Sequence, residues 1–401
     1  MTYPTLALVG AVIALAAGLV AWGLAAARRT PALADTGASR RHWIAVALTV
    51  LVLFVLTAIF DNVMISLGLF HYAPELVSGV SIGVAPLEDF AYPLAAALLL
   101  PALWALLSRG GAERQRAFSQ LVLSSRPVSW INTAFPFGAA YLLTTREIDW
   151  VLVLGFLYFL IPYNLAMYGI NDVFDYASDL ANPRKGGMEG ALLAPRLHRV
   201  TLWVAALTNI PFLVLLAVAG GPATWLALAV SVFAVIAYSA KGLRFKERPF
   251  LDSITSSTHF VSPAVVGLTL AGAEFTLPLV LILAAFFLWG MAAHAFGAIQ
   301  DIGPDRLGGI HSVATVIGAR ATVRLALVLW LLAGVAMLFT PWPGPLAAII
   351  VVPYLLNCAA WWNVTDETSG RTNVAWRRFI WLNFLSGALA TLILITEWTP
   401  A

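Results

Sequence analysis

The chain has 401 residues, of which 61% are hydrophobic and only 11% charged, with a mean hydropathy of +0.87. A soluble domain of this length needs far more polar surface, so the composition excludes a water-soluble globular protein. The formal net charge of +3 is small and gives no ground for nucleic-acid binding.

Crossing a bilayer as helix takes about 20 apolar residues, and such runs recur along the whole chain. They predict an all-α membrane protein of about twelve spans, at roughly 4–27, 43–69, 89–107, 128–145, 149–170, 200–219, 222–240, 252–272, 276–299, 322–340, 344–362 and 376–396. With the N-terminus outside and sides alternating, every one of the 23 lysines and arginines except Arg146 falls on the cytoplasmic side. That partition obeys the positive-inside rule, so span number and orientation support each other. The expectation is a multi-pass cell-membrane protein with both termini outside. The first span has no basic residue ahead of it and is followed by Arg28-Arg29, so it reads as a retained helix and not a cleaved signal. A single cysteine, Cys358, excludes an intrachain disulfide.

The first three spans, residues 1–108, carry Asp61-Asn62, Gly68-Leu-Phe-His-Tyr72 and Pro86-Leu-Glu-Asp89. A carboxylic acid in apolar surroundings can stay protonated and act as a general acid, which makes Glu88 or Asp89 a candidate acid with Asp61 in support. Two acids ahead of a span are equally consistent with a plain span boundary. A polar, glycine-bearing stretch, Ser108–Arg116, then separates three spans from nine and places a cytoplasmic linker at 109–125. Residues 117–125 are weakly amphipathic and suit either a surface helix or a plain linker.

The nine remaining spans, 126–401, carry two acidic stretches. In the first, Asn171, Asp172, Asp175 and Asp179 follow one another, and steps of four put Asn171, Asp175 and Asp179 on one helical face. Asn164 and Tyr168 extend that face into the membrane. The second holds Asp301 and Asp305, again a step of four, with Gly303-Pro304 expected to break the helix between them. Clustered carboxylates repel unless cations bridge them, and hard oxygen ligands suit Mg²⁺, which in turn recruits phosphates. Basic groups lie on the same predicted side: Arg184 and Lys185, Lys241, Arg244 and Lys246, and Arg306. Metal together with Lys and Arg is the arrangement that stabilises charge on a departing diphosphate. His294 lies seven residues before Asp301 on the same face and could accept a proton, or could equally make an interhelical hydrogen bond; His259 stands in the same position.

Asn171-Asp-x-x-Asp-x-x-x-Asp179, Asn182-Pro-Arg-Lys185, Tyr238-Ser with Lys246, Asp301-x-x-x-Asp305 and the opening Ser125-Arg-Pro-Val-Ser-Trp130 resemble the UbiA superfamily of intramembrane prenyltransferases over residues 120–396. The resemblance implies a nine-helix bundle and Mg²⁺-dependent ionisation of an allylic diphosphate. It implies metal ligation by Asn171, Asp172, Asp175, Asp179, Asp301 and Asp305, and diphosphate binding by Arg184, Lys185, Lys241, Arg244 and Lys246. The segments Ala292–Ile302 and Ser312–Gly318 resemble the lycopene elongase branch, which implies transfer of dimethylallyl groups from dimethylallyl diphosphate to lycopene ends at a site facing the cytoplasm. The N-terminal motifs resemble small three-span lycopene cyclase subunits, which implies a role in C50 carotenoid ring formation, an isomerisation, with a second small cyclase subunit as partner. Prenylation of an aromatic quinone precursor stays open as an alternative. So does a twelve-span secondary transporter, although the acids cluster at one face and no related halves are visible.

Overall fold

The computed structural model describes residues 2–27, 36–68, 71–107, 112–176 and 193–398. Apart from one two-residue hairpin and short 3-10 turns, the described residues form regular structure only as α-helix, and the chain divides into two compact units, one running to Ser119 and one from Gln120 to Glu397.

The first unit holds α1 (Tyr3–Ala27), α2 (Thr36–Ser66) and α3 (Ala91–Leu107), with β1 (Ser81–Ile82) and β2 (Ala85–Pro86) between the last two. Gly83 turns the hairpin with φ +68°, a backbone conformation that strains any L side chain. Asn62 clamps the turn from α2: its Nδ2 donates to the Ile82 carbonyl at 2.7 Å and its Oδ1 accepts the Val84 amide at 2.6 Å. A side chain at Gly83 would meet Asn62 Oδ1 at 2.0 Å, so glycine is required here twice over. The clamp fixes where the 3-10 turn Leu87–Phe90 enters α3, and that turn carries Glu88 and Asp89.

The second unit begins in α4 (Ala112–Ser124), so the segment open between surface helix and linker is helical up to Ser124. There follow α5 (Ile131–Thr145), α6 (Trp150–Leu160), α7 (Pro162–Phe174), α8 (Pro195–Ala219), α9 (Pro222–Ser239), α10 (Leu251–Leu270), α11 (Leu277–Ala298), α12 (Ile302–Leu307), α13 (Val313–Ile317), α14 (Ala319–Leu338), α15 (Val352–Ala359) and α16 (Asn373–Trp398). Helical structure falls in each interval expected to span, but among the described residues seven helices are long and apolar enough to cross a membrane. The shortfall from twelve has visible causes. Helix α5 has 15 residues, the stretch before α15 is 3-10 helix from Gly344 to Val351, and α10 is diluted by Ser253, Thr255, Ser256, Ser257 and Thr258.

The span expected at 149–170 is two helices, α6 and α7, broken at Ile161-Pro162. Proline has no amide to continue the ladder, so carbonyls at the break need other donors. Thr133 supplies its hydroxyl to the Phe159 carbonyl at 2.7 Å, and Asn164 Nδ2 reaches the Phe159 and Leu160 carbonyls at 2.8 and 3.1 Å. Asn209 of α8 donates to the Pro162 carbonyl at 2.7 Å. Asn164 therefore supports the break and is not part of the acidic face, as its spacing had suggested.

Two apolar cores hold the bundle. One gathers Phe137, Tyr158, Phe159, Tyr163, Leu216 and Val266; the other gathers Phe296, Trp330, Tyr354 and Phe379. Gly267 of α10 lets α5 approach closely, since a Cβ there would lie 2.7 Å from the Phe137 carbonyl oxygen. The first acidic stretch rides on the first core and the second on the second. Helix α10 links them through Asp252, whose Oδ2 accepts the Val313 amide at 2.7 Å.

Candidate active site

Helix α7 ends at Phe174, one residue before Asp175, which caps it with its amide bonded to the Asn171 carbonyl at 2.9 Å. Asp179, expected to continue the face of Asn171 and Asp175, and Arg184 and Lys185 lie outside the described residues. Asn171 Oδ1 accepts the Ser239 hydroxyl at 3.0 Å. Asp172 is buried, taking the Ser124 hydroxyl on Oδ2 at 2.8 Å and Arg126 Nη2 on Oδ1 at 3.4 Å. The Arg126 guanidinium also covers the Tyr168 ring at 4.3 Å from its centroid. Asp175, also buried, forms ion pairs with Lys246 and, at 3.8 Å, with Arg244, which pairs in turn with Glu247.

Both arginines that reach this stretch hold left-handed backbone, Arg126 at φ 49° and Arg244 at φ 41°. Such a conformation costs a non-glycine residue about 1–3 kcal/mol and tends to collect where function needs a fixed geometry. Neither Ser124, Arg126 nor Ser239 had been given a role from spacing. Arg126 lies inside the Ser125–Trp130 motif and Ser239 inside Tyr238-Ser, which were the available signals, whereas Ser124 is an ordinary helix-end residue with no pattern to flag it.

The second stretch is built differently from expectation. Helix α11 stops at Ala298, Ile299–Asp301 forms a 3-10 turn, and α12 then begins at Ile302 with Gly303-Pro304 inside its first turn. A proline in a first turn loses no hydrogen bond, so the break falls at Asp301 and not between Asp301 and Asp305. The two carboxylates straddle the break, each half-buried. Arg306 turns away from them, donating to the Thr315 carbonyl at 2.8 Å and pairing with Asp366 at 2.7 Å.

Lys246 ties the stretches together. Its side chain is 11% exposed, and burial pushes its ammonium down to about 8 against the pull of Glu247, Asp305 and Asp172. One ammonium thus pairs with Asp175 of the first stretch and feels Asp305 of the second. Lys241 does not join it: the residue is exposed and its side chain makes no ion pair among the described residues. His311 is exposed as well.

His294 is half-buried with both ring nitrogens engaged, Nε2 with the Tyr238 hydroxyl and Nδ1 with the Ser253 hydroxyl, each at 3.1 Å. These are the interhelical hydrogen bonds that were one of its two expected roles, and they leave no free nitrogen to take a proton directly from a substrate.

In the first unit, Glu88 accepts the Ser78 amide at 2.6 Å. Burial alone would raise its carboxyl, but the bonds from Ser78 hold it below the usual carboxylate range. The Ser78 amide thus favours the charged form of Glu88, against the role of proton donor that its apolar neighbourhood suggested. Asp89 accepts the Tyr72 hydroxyl at 2.7 Å and lies within hydrogen-bonding reach of Asp61.

The pattern of the UbiA prenyltransferase family matches residues 133–384. A C(50) beta-cyclic carotenoids biosynthesis protein, LbtBC, of Dietzia sp. (strain CQ4) is 51% identical over 397 residues, covering 90% of this chain and 92% of that one. A lycopene elongase/hydratase of Corynebacterium glutamicum is 54% identical over 278 residues, covering 69% of this chain and 96% of the relative. Among solved structures, a UbiA homolog from Archaeoglobus fulgidus bound to GPP and Mg²⁺ aligns with a TM-score of 0.49 at 18% identity, over 67% of this chain and 99% of that one. The matched stretch takes in well over half of the chain and every described residue of both acidic stretches. The chain belongs to the UbiA prenyltransferase family, as a multi-pass membrane enzyme whose homologues include lycopene elongases and a C50 carotenoid biosynthesis protein.

Proposed function

We propose that this enzyme transfers dimethylallyl groups from dimethylallyl diphosphate to the ends of lycopene, and that its first 108 residues serve as a cyclase subunit that helps close the elongated ends into C50 rings. The observation that carries the transferase reading is Lys246, whose ammonium is shared in field between two acidic stretches far apart in sequence. Its acceptor is supported by relatives at 51% and 54% identity whose names specify C50 carotenoid biosynthesis and lycopene elongation.

The donor set suits magnesium. Asn171, Asp172, Asp175, Asp301 and Asp305 offer only amide and carboxylate oxygens. Among the described residues no three of His, Cys, Asp and Glu form a ready-made metal cluster. Mg²⁺ is usually held by one or two carboxylates and completes its shell with water and substrate phosphates. Bound there, it would neutralise charge gathering on the leaving diphosphate.

The chain's own cations do the rest of the binding. Lys246, Arg244 and Arg126 already lie against Asp175 and Asp172, so they neutralise those carboxylates before substrate arrives and stand ready for phosphate oxygens. Lys246 is mostly buried, so its charge acts through little water and its attraction for a diphosphate is strong. The Tyr168 ring under Arg126 presents an aromatic face beside the same carboxylates, where an allylic cation would be stabilised. The distribution of basic residues supports a site on the cytoplasmic side.

For ring closure the acid is the pair Asp61 and Asp89, with Tyr72 donating to Asp89. A second small cyclase subunit is the partner this reading expects.

Expression of the full chain in a lycopene-accumulating bacterium, with pigment analysis, tests both parts. The transferase reading expects forty-five- and fifty-carbon products that vanish with Asp172→Ala. A full-length, membrane-inserted chain that leaves lycopene unchanged overturns it. The cyclase reading expects rings, in the presence of a partner subunit, that vanish with Asp89→Asn while elongation persists.

A further inference from the structure

Beyond the acids and bases of the diphosphate pocket, four side chains form a continuous hydrogen-bonded line: Asp252, Ser253, His294 and Tyr238. Its direction can be worked out. The Ser253 hydroxyl has one proton and donates it to Asp252 Oδ1 at 3.3 Å, so its oxygen accepts from His294 Nδ1–H at 3.1 Å. That leaves the lone pair of His294 Nε2 for the Tyr238 hydroxyl, also at 3.1 Å. Asp252 is 0% exposed and held rigidly, with Oδ1 taking the Ser253 amide and Oδ2 the Val313 amide, both at 2.7 Å. The line therefore points from a fixed carboxylate, through a serine and an imidazole, to a phenol.

The phenol end lies beside the first acidic stretch. Tyr238 precedes Ser239, which bonds Asn171, and it is within electrostatic reach of Arg126, Tyr168 and Asp305. A second histidine, His259, packs edge-on to the same ring with centroids 5.2 Å apart. His259 is 3% exposed and its Nε2 has no hydrogen-bond partner among the described residues, so it is close to the line but not part of it.

We infer that Tyr238 removes the proton that ends the transfer, with His294, Ser253 and Asp252 acting behind it as positioning residues. The inference rests on the prenyl-transfer reading above. When the allylic cation adds to the terminal double bond of the acceptor, that bond's electron pair forms the new carbon–carbon bond and leaves a cation on the neighbouring carbon. A C–H bond next to that carbon breaks, and its electrons become the new double bond. The proton goes to Tyr238 Oη, while the phenol's own proton passes to His294 Nε2. The resulting imidazolium is stabilised by Asp252 through Ser253 and returns the proton to solvent between turnovers. With this line broken the cation lives longer and water competes for it, giving an alcohol in place of an alkene.

The test uses membranes containing the full chain, with lycopene, dimethylallyl diphosphate and Mg²⁺, reading kcat, KM for the diphosphate and the ratio of alcohol to alkene ends. Tyr238→Phe is expected to lower kcat about 100-fold and Ser253→Ala about 10-fold. For both, KM stays within about twofold and the alcohol share rises about fivefold or more, while Ser253→Thr, which keeps the hydroxyl, restores the wild-type profile. Ser253→Ala carries the test because Asp252 also holds the Val313 amide and its loss disturbs the fold. The inference is overturned if Ser253→Ala keeps wild-type kcat and product ratio, if KM rises in place of a fall in kcat, or if His259→Asn alone reproduces the effect. A wild-type chain that makes no elongated product sinks the underlying reading instead.

Discussion

The two acidic stretches of the bundle face one lysine but are made in opposite ways. Asp172 and Asp175 are buried at the end of a helix whose start is anchored by Thr133, Asn164 and Asn209, and each has a basic side chain against it. Asp301 and Asp305 are half-buried on either side of a helix break, on a turn and a six-residue helix. The first stretch is a pre-formed half-site whose charge is balanced from within the chain. The second is more open to solvent, so water and substrate have more access to it. Preorganised groups contribute most to transition-state stabilisation, because they need not rearrange when charge develops.

That contrast can be broken or sharpened by substitution, reading prenyl transfer in membranes. Asp172→Ala removes a buried carboxylate and strands Arg126 beside it, and is expected to cost about 1,000-fold in kcat/KM. Lys246→Ala should cost about 100-fold, with KM for the diphosphate rising, and Lys246→Arg should recover part of the loss. Asp301→Ala is expected to lose about 100-fold and Asp305→Ala about 10-fold, since Asp305 sits on the six-residue helix beyond the break. Equal losses from Asp172 and Asp305 would erase the distinction between the buried and the half-buried stretch. At the small end, Lys241→Ala should change kcat/KM by less than about twofold, because an exposed lysine adds little to binding through water; a tenfold loss would bring Lys241 back into the site.

What could be read ahead of the structure follows from how local each feature is. Carboxylates at the ends of apolar helices are costly and rare, so Asp172, Asp175 and Asp301 stand out in the chain itself. The intervals of the helices are equally legible, because hydropathy is a property of each segment alone. The break at Asp301 was not, since Gly303-Pro304 reads the same whether it interrupts a helix or opens a new one. Asn164 shared a face with Asn171, yet its amide serves the carbonyls freed by Pro162, a need that arises only once α6 and α7 are seen to be separate. Glu88 and Asp89 are neighbours of the same chemical type, and only the Ser78 amide on one and Tyr72 on the other tell them apart. His294 looked like an available base until both of its nitrogens proved to be occupied. Each of these depends on partners brought from elsewhere in the chain, to which periodicity is blind.

The central claim is that the two stretches hold one diphosphate between them. Binding of a non-hydrolysable thiolo analogue of dimethylallyl diphosphate to the detergent-purified full chain, with and without Mg²⁺, tests it most directly. One analogue should bind per chain, only when Mg²⁺ is present, and both Asp172→Ala and Asp301→Ala should abolish binding while leaving the chain folded. Wild-type affinity in the Asp301→Ala chain, or undiminished binding after Mg²⁺ is chelated, would contradict it.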